Sequence, residues 1–201
     1  MGPSSLFRIP LKELEMPKIA EIEGTPNRNA LKFILKEPLT WGVTRSYDNA
    51  EQASGDPLAE ALFDIDHVTN VFYVDRWITI TQDGGADWQD LARAVADPIR
   101  AAPAADAHSA ATVAAAGTAI AGLSPEDQKR LDAINEMLDE EIRPYLQNDG
   151  GDLHVLGLDG NRLSVHYQGA CGTCPSSISG TLRGIQNMLR SIEPEIEVVA
   201  M

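Results

Sequence analysis

Hydrophobic positions in this chain repeat with period two in some stretches and with helical three-and-four spacing in others, and the switches between them divide it into elements. In residues 163–168, Leu163, Val165 and Tyr167 fall on one face and Ser164, His166 and Gln168 on the other, which predicts a half-buried strand. Soon after it, Ile178, Leu182, Ile185, Leu189 and Ile192 recur at spacings of four, three, four and three, an apolar stripe along one side of a helix. Upstream, Leu131, Ile134, Leu138, Ile142 and Tyr145 mark the buried side of another helix. Ser124-Pro125-Glu126-Asp127 begins it with a capping serine, a proline at the first helical position and acidic residues in the first turn. Pro144 is expected to end or kink that helix. Asn148-Asp149-Gly150-Gly151 reads as a sharp turn into a strand over 152–158, Asp159-Gly160-Asn161-Arg162 as a hairpin turn, and residues 196–199 as a last strand after the Glu193-Pro194 break. From Ser124 to Met201 the order is α-β-β-α-β.

The first half alternates in the same way. Residues 18–23 read as a strand, Thr25-Pro26-Asn27-Arg28-Asn29 as a turn, and residues 30–34 as a second strand. Leu58, Ala61 and Leu62 give one side to a helix over 57–63. The runs 71–74 and 77–81, separated by Asp75-Arg76, predict a β-hairpin. Asp87 is placed to cap a last helix through Trp88, Leu91, Ala92, Val95 and Ile99. Between Ala101 and Leu123 alanine dominates, broken by Pro103, Gly117 and Gly122. Its few large apolar residues bury little surface, so the stretch reads as an interdomain linker. The fold class is therefore α+β: two small α/β-sandwich-like domains, 18–100 and 124–201, joined by an alanine-rich linker over 101–123. Residues 1–17 form an extension without a clear period, and no function is assigned to them.

Composition narrows the function. A net charge of −14 argues against a nucleic-acid surface, which draws most of its affinity from clustered Lys and Arg. No run approaches the roughly 18 apolar residues that span a bilayer, so no membrane partner is expected. Residues 1–16 lack the apolar core of a signal peptide, which points to an intracellular protein. The absence of an Arg-rich, acidic-poor leader favours a cytoplasmic location, with the mitochondrial matrix as the alternative.

The chemistry lies in Gly169-Ala170-Cys171-Gly172-Thr173-Cys174-Pro175-Ser176-Ser177, which holds the only two cysteines. They close a strand and open a helix. Pro175 suits the first turn, where its missing N–H would have no intrahelical partner, and Ser176 and Ser177 can satisfy neighbouring N–H groups. The positive end of the helix favours thiolate over thiol at Cys174 and also at Cys171. In a reducing compartment such a pair is a metal or cluster site, or else a thioredoxin-like dithiol in which one thiolate attacks a disulfide and the other resolves the intermediate. Against the second, only about one helix separates Pro194 from Cys174. A zinc half-site would need two more ligands, and His154 and His166 read better as solvent-facing or hydrogen-bonded residues.

Other candidates have structural readings. Gly150 and Gly151 are turn residues that permit positive φ, since no lysine or helix start follows to make a phosphate cradle. Gly180 and Gly184 lie one helical turn apart and suggest close packing within the domain, or against a second chain. Asp139-Glu140-Glu141 is solvated helix surface, and Trp41, Trp77 and Trp88 are core of the first domain. No Ser-His-Asp set or supported carboxylate pair is present, and an enzyme in the turnover sense is not expected.

Three C-terminal stretches, Leu146–Asp152, Gln168–Ser177 and Gly184–Leu189, closely resemble in order and spacing the C-terminal domain of the NifU-like (Nfu) iron–sulfur scaffold family. The first half resembles that family's N-terminal domain through Thr25–Phe33, 71–74 and 77–81. The resemblance covers roughly 18–100 and 124–201, and departs in the extension before Met16 and in the length of the linker. It implies a scaffold or carrier that assembles or holds an iron–sulfur cluster and hands it to apo-proteins, after receiving it from an upstream donor. Cys171 and Cys174 would be the ligands, with backbone N–H groups from Gly172 to Ser176 tuning the cluster. Such clusters take four thiolates and one chain has two, so a 4Fe–4S cluster, or alternatively 2Fe–2S, is expected to bridge two copies of the chain in a two-fold homodimer. Because neither cysteine belongs to an apolar stripe, replacing either with alanine is expected to leave the fold intact. The first domain is expected to recognise client or donor proteins or to regulate access to the cysteines.

Overall fold

The computed structural model describes residues 19–105, 124–172 and 175–201, with the side chains of 175–180 excepted. The extension 1–17, most of the alanine-rich linker and Cys174 lie outside the described residues. The first domain is a five-stranded antiparallel sheet in the order β1-β2-β5-β4-β3, built from β1 (Ile19–Gly24), β2 (Ala30–Leu35), β3 (Arg45–Tyr47), β4 (Val68–Val74) and β5 (Trp77–Gln82). Two helices, α1 (Pro57–Phe63) and α2 (Trp88–Ala101), complete it. Each helix starts at the expected kind of cap: the Asp56 carboxylate accepts from the Ala59 N–H at 3.1 Å, and Asp87 from the Gln89 N–H at 2.7 Å. The β4–β5 hairpin turns at Asp75, whose φ of 48° is a left-handed conformation that aspartate tolerates better than most residues.

The strand pleat divides this sheet into two faces. Phe33, Leu35, Val71, Tyr73, Ile78 and Ile80 point to the helices and pack with Leu62, Leu91, Val95 and Ile99 into one core. The opposite face carries Lys32, Thr79 and Phe72 in a single cross-strand row, with Asn70 and Thr81 in the next. These five side chains are also buried, although no helix of the first domain covers them. Their cover comes from β7 of the second domain, which packs against β4 and β5.

The second domain runs α3 (Pro125–Met137), a π-helical turn over Leu138–Ile142, α4 (Arg143–Asn148), β6 (Gly151–Asp159), β7 (Arg162–Gly169), α5 (Pro175–Leu189) and β8 (Glu197–Ala200). Its sheet has the order β6-β7-β8, with β6 and β7 antiparallel and β7 and β8 parallel. A parallel pair needs a crossover, and α5 provides it. Leu131, Ile134, Leu138, Leu153, Val155, Leu163, Val165, Ile185 and Leu189 form its core. Arg130 ties the far end together, with a bidentate pair to Glu193 at 2.9 and 3.0 Å and a bond to the Gly160 carbonyl at 2.9 Å.

The fold class and the α-β-β-α-β order match the expectation, while several details differ. The helix from Ser124 does not stop at Pro144. The π turn adds one residue to the winding, and Pro144 then falls in the first turn of α4, where its missing N–H costs nothing. The extra residue also shifts the apolar stripe, so that Leu146 is buried and Tyr145 is 72% exposed. Ile192 lies beyond the end of α5 and is exposed; Ile196 fills the core there instead. The short strand β3 was not anticipated, because Arg45-Ser46-Tyr47 has too few residues to show a period. The three tryptophans are only half-buried. Trp88 packs at the edge of the core, Trp41 donates to the Ala105 carbonyl, and Trp77 stacks on Phe72 on the opposite face of the sheet.

Gly184 also departs from expectation: it is exposed, and a Cβ there would meet nothing within 4 Å. Gly184→Ala is therefore expected to stabilise the chain by about 0.5–1 kcal/mol through helix propensity, measured by denaturant unfolding of the cluster-free chain. A loss of stability would mean that the position packs against something, as a second-chain contact requires.

Candidate functional site

Cys171 sits in the turn that follows β7, just before α5 begins at Pro175. Two neighbouring turns hold this loop by backbone hydrogen bonds. The Ala170 N–H donates to the Gly150 carbonyl, and the Gly172 N–H to the Gly169 carbonyl, both at 3.1 Å. Gly150 and Gly169 have φ values of 82° and 65°, where a side chain would be strained. Gly151 has another reason to be glycine. A Cβ there would lie 2.6 Å from the Gln168 carbonyl oxygen and 2.7 Å from Cys171 Sγ, so the thiol occupies the space that a side chain would take.

Cys171 is consequently 8% exposed and belongs to the core cluster of the second domain. This corrects the premise that Cys171 stands apart from the core: its replacement by alanine loses buried packing along with the sulfur. Tyr167 lies in the same cluster. Burial chiefly, and the neighbouring Cys171 charge secondarily, push its phenol above the ordinary tyrosine range. Cys174 and the side chains of Ser176 and Ser177 lie outside the described residues.

The turn before β6 is fixed from below by Asp152. Its carboxylate accepts from Arg143 Nη1 at 3.0 Å, from the Leu153 N–H at 2.7 Å and from Gln147 Nε2 at 3.4 Å. Burial pushes the Asp152 pKa up, and the Arg143 guanidinium pulls it back only in part. Sequence periodicity assigned no role to either residue, because a buried ion pair leaves no hydrophobic signal. His154 and His166 pair across β6 and β7 on the face away from the domain core. His154 is exposed, and His166 lies 3.8 Å from Asp48 of the first domain and 3.2 Å from the Met201 carbonyl. Among the described residues no group of three or more His, Cys, Asp or Glu side chains is placed to hold a metal ion.

A cavity of about 300 Å³ lies in the first domain between α1, Tyr73 and the end of α2. Its one charged lining residue, Asp56, already accepts bonds from the Tyr47 and Tyr73 hydroxyls and the Ala59 N–H. None of its lining residues belongs to the cysteine loop.

Comparison with known proteins bears on both halves. Residues 19–105 match the family model "Scaffold protein Nfu/NifU N terminal" and residues 134–200 match "NifU-like domain". The chain belongs to the Nfu/NifU scaffold family. A human member named NFU1 iron-sulfur cluster scaffold homolog, mitochondrial, is 36% identical, over 89% of this chain and 70% of the relative. The Drosophila ananassae protein of the same name is 34% identical over 89% and 62%, and NifU-like protein 5, mitochondrial, of Arabidopsis thaliana is 33% identical over 98% and 72%. The chain thus spans about three-fifths to three-quarters of the length of these Nfu relatives. Among the described residues no helix is long and apolar enough to cross a membrane.

Two outcomes follow from this geometry. Gly151→Ala is expected to destabilise the chain by roughly 1–3 kcal/mol, because the new methyl group must displace either Cys171 or the Gln168 backbone; Gly157→Ala, where a Cβ would meet nothing within 4 Å, is the control in thermal unfolding. Arg143→Ala leaves Asp152 buried without its cation and is expected to cost about 3 kcal/mol at neutral pH. A carboxyl whose folded pKa is raised destabilises the fold as pH rises from its unfolded value through its folded one. The Arg143→Ala penalty should therefore shrink in acid as Asp152 is protonated, which unfolding curves at pH 7 and pH 4 would compare.

Proposed function

We propose that this chain is an iron–sulfur cluster scaffold that receives its cargo on Cys171 and Cys174, holds it between two copies of the chain, and passes it to apo-proteins. The observation that carries the reading is Cys171 itself, held on a turn between β7 and a helix that begins at Pro175, in a domain of the Nfu/NifU family. Thiolates are the soft ligands that iron and sulfide prefer. Two cysteines per chain leave a four-iron cargo two ligands short, and a second chain with the same loop supplies them. A site completed only by association can also come apart, which suits a carrier.

Support for the scaffold role comes from the relatives, whose names describe iron–sulfur cluster scaffolds. Those names also say mitochondrial, which favours the matrix over the cytoplasm as the compartment. Binding and hand-over, rather than turnover, are the activities assigned, with an upstream cluster donor and apo-protein clients as partners.

Anaerobic reconstitution with iron and sulfide tests the reading. About two irons per chain in a species of dimer mass corresponds to one shared 4Fe–4S cluster. Cys171→Ser and Cys174→Ser chains, with folding checked by circular dichroism, should each fail to retain it. A full cluster on either variant overturns the ligand assignment. No iron, together with a reversible disulfide between the two cysteines, would make the chain a dithiol redox protein instead.

A further inference from the structure

The second face of the first domain's sheet is buried against the cysteine loop, and the contact is made by the residues that frame that loop. Asn27 Nδ2 donates to the Ala170 carbonyl at 3.2 Å, one residue before Cys171. Lys32 Nζ reaches the Asn148 carbonyl at 3.4 Å, pairs with Glu23 at 3.4 Å and lies 5.1 Å from the centre of the Trp77 ring. Both glycine turns fit against this face. A Cβ on Gly169 would lie 3.0 Å from the Phe72 ring, and one on Gly150 would lie 3.0 Å from both Thr25 and Thr79. Phe72 is fully buried yet stands outside the first domain's own core cluster, so its burial depends on the second domain.

The same face also carries polar atoms that oppose the contact. Among the described residues, Ser46 Oγ, Asn70 Oδ1, Thr79 Oγ1 and Thr81 Oγ1 are buried there without a hydrogen-bond partner. A buried polar atom left unpaired loses the hydrogen bonds it makes to water. Apolar burial of Phe72 therefore favours the contact while four polar atoms oppose it, the balance of a surface that docks and undocks.

We propose that the first domain is a reversible cap on the cysteine loop, holding Cys171 in an inward resting position, and that a chain must undock it to accept a cluster. The proposal rests on the scaffold reading above and supplies its regulation. In the docked state Cys171 Sγ lies against Gly151 in the core, and Asn27 pins the loop at Ala170. Ligation of a cluster shared with a second chain requires the sulfur to face outward and a second loop to approach. Domain one occupies the flanks of the loop at Asn148, Gly150, Gly169 and Ala170. Undocking frees those flanks and rehydrates the four polar atoms together.

Two substitutions on the cap move the equilibrium in opposite directions without touching the cysteines. Phe72→Ala removes the main apolar contact, and Thr79→Val replaces an unpaired hydroxyl with a methyl group of similar shape. In full-length chains also carrying Cys174→Ser, the alkylation rate of Cys171 by iodoacetamide should rise about tenfold or more with Phe72→Ala and fall about threefold with Thr79→Val. With both cysteines present, the rate of cluster uptake should follow the same order. Alkylation rates that are equal in all three chains overturn the cap, whatever the iron content. Alkylation rates that shift while the matching chains with both cysteines intact bind no iron on reconstitution would support the docking contact and overturn the scaffold reading instead.

Discussion

The close approach of Gly151 to Cys171 is the constraint on which the cysteine loop depends. A thiol can turn into the core only because β6 begins with a residue that has no side chain, and β6 can begin there only because Gly150 takes a positive φ. Beneath the turn, Asp152 and Arg143 form a buried pair that fixes where β6 starts. Such a pair contributes little net stability over an apolar substitute, yet breaking it leaves an uncompensated charge. The arrangement therefore fixes position more than it adds stability.

Around that constraint the two domains divide the work between their sheet faces. Each sheet packs one face against its own helices. The first domain's other face has neither a solvated character nor a full apolar one: Phe72 sits among Thr79, Thr81, Asn70 and Lys32. Permanent cores bury most of their polar atoms with partners; on this face several have none among the described residues. That mixture suits a surface that spends part of its time in water, and it lies directly against the cysteine loop.

Most of the architecture could be read from residue patterns because burial on one face leaves a period. The strands other than β3, α1, α2 with its Asp87 cap, and the Ser124-Pro125 helix start all followed from spacing and capping chemistry. Tyr145 was misplaced because a single-residue π insertion changes the phase without changing composition, and periodicity assumes an unbroken 3.6-residue winding. For the tryptophans, sequence gives no signal that distinguishes the two faces of the sheet or its edge from its core. At the site, the cysteine motif was plain in the sequence, whereas the roles of Gly151, Asp152, Arg143 and Asn27 were not. Those roles arise from close approach, a buried charge pair and a contact between residues 143 positions apart, and none of these produces a local pattern.

The π turn also sets what kind of change this family member can absorb. Its five residues include Asp139, Glu140 and Glu141, all exposed; Asp139 pairs with Arg143 at 2.5 Å, while the identities of the other two are loosely constrained. The number of residues is not. Loss of one residue would restore ordinary winding and rotate everything downstream by about 100°, turning Leu146 toward solvent and carrying Arg143 away from Asp152. In this segment the geometry fixes the number of residues more tightly than the identities of Glu140 and Glu141, so a deletion there would reach the cysteine loop sooner than most substitutions in the core.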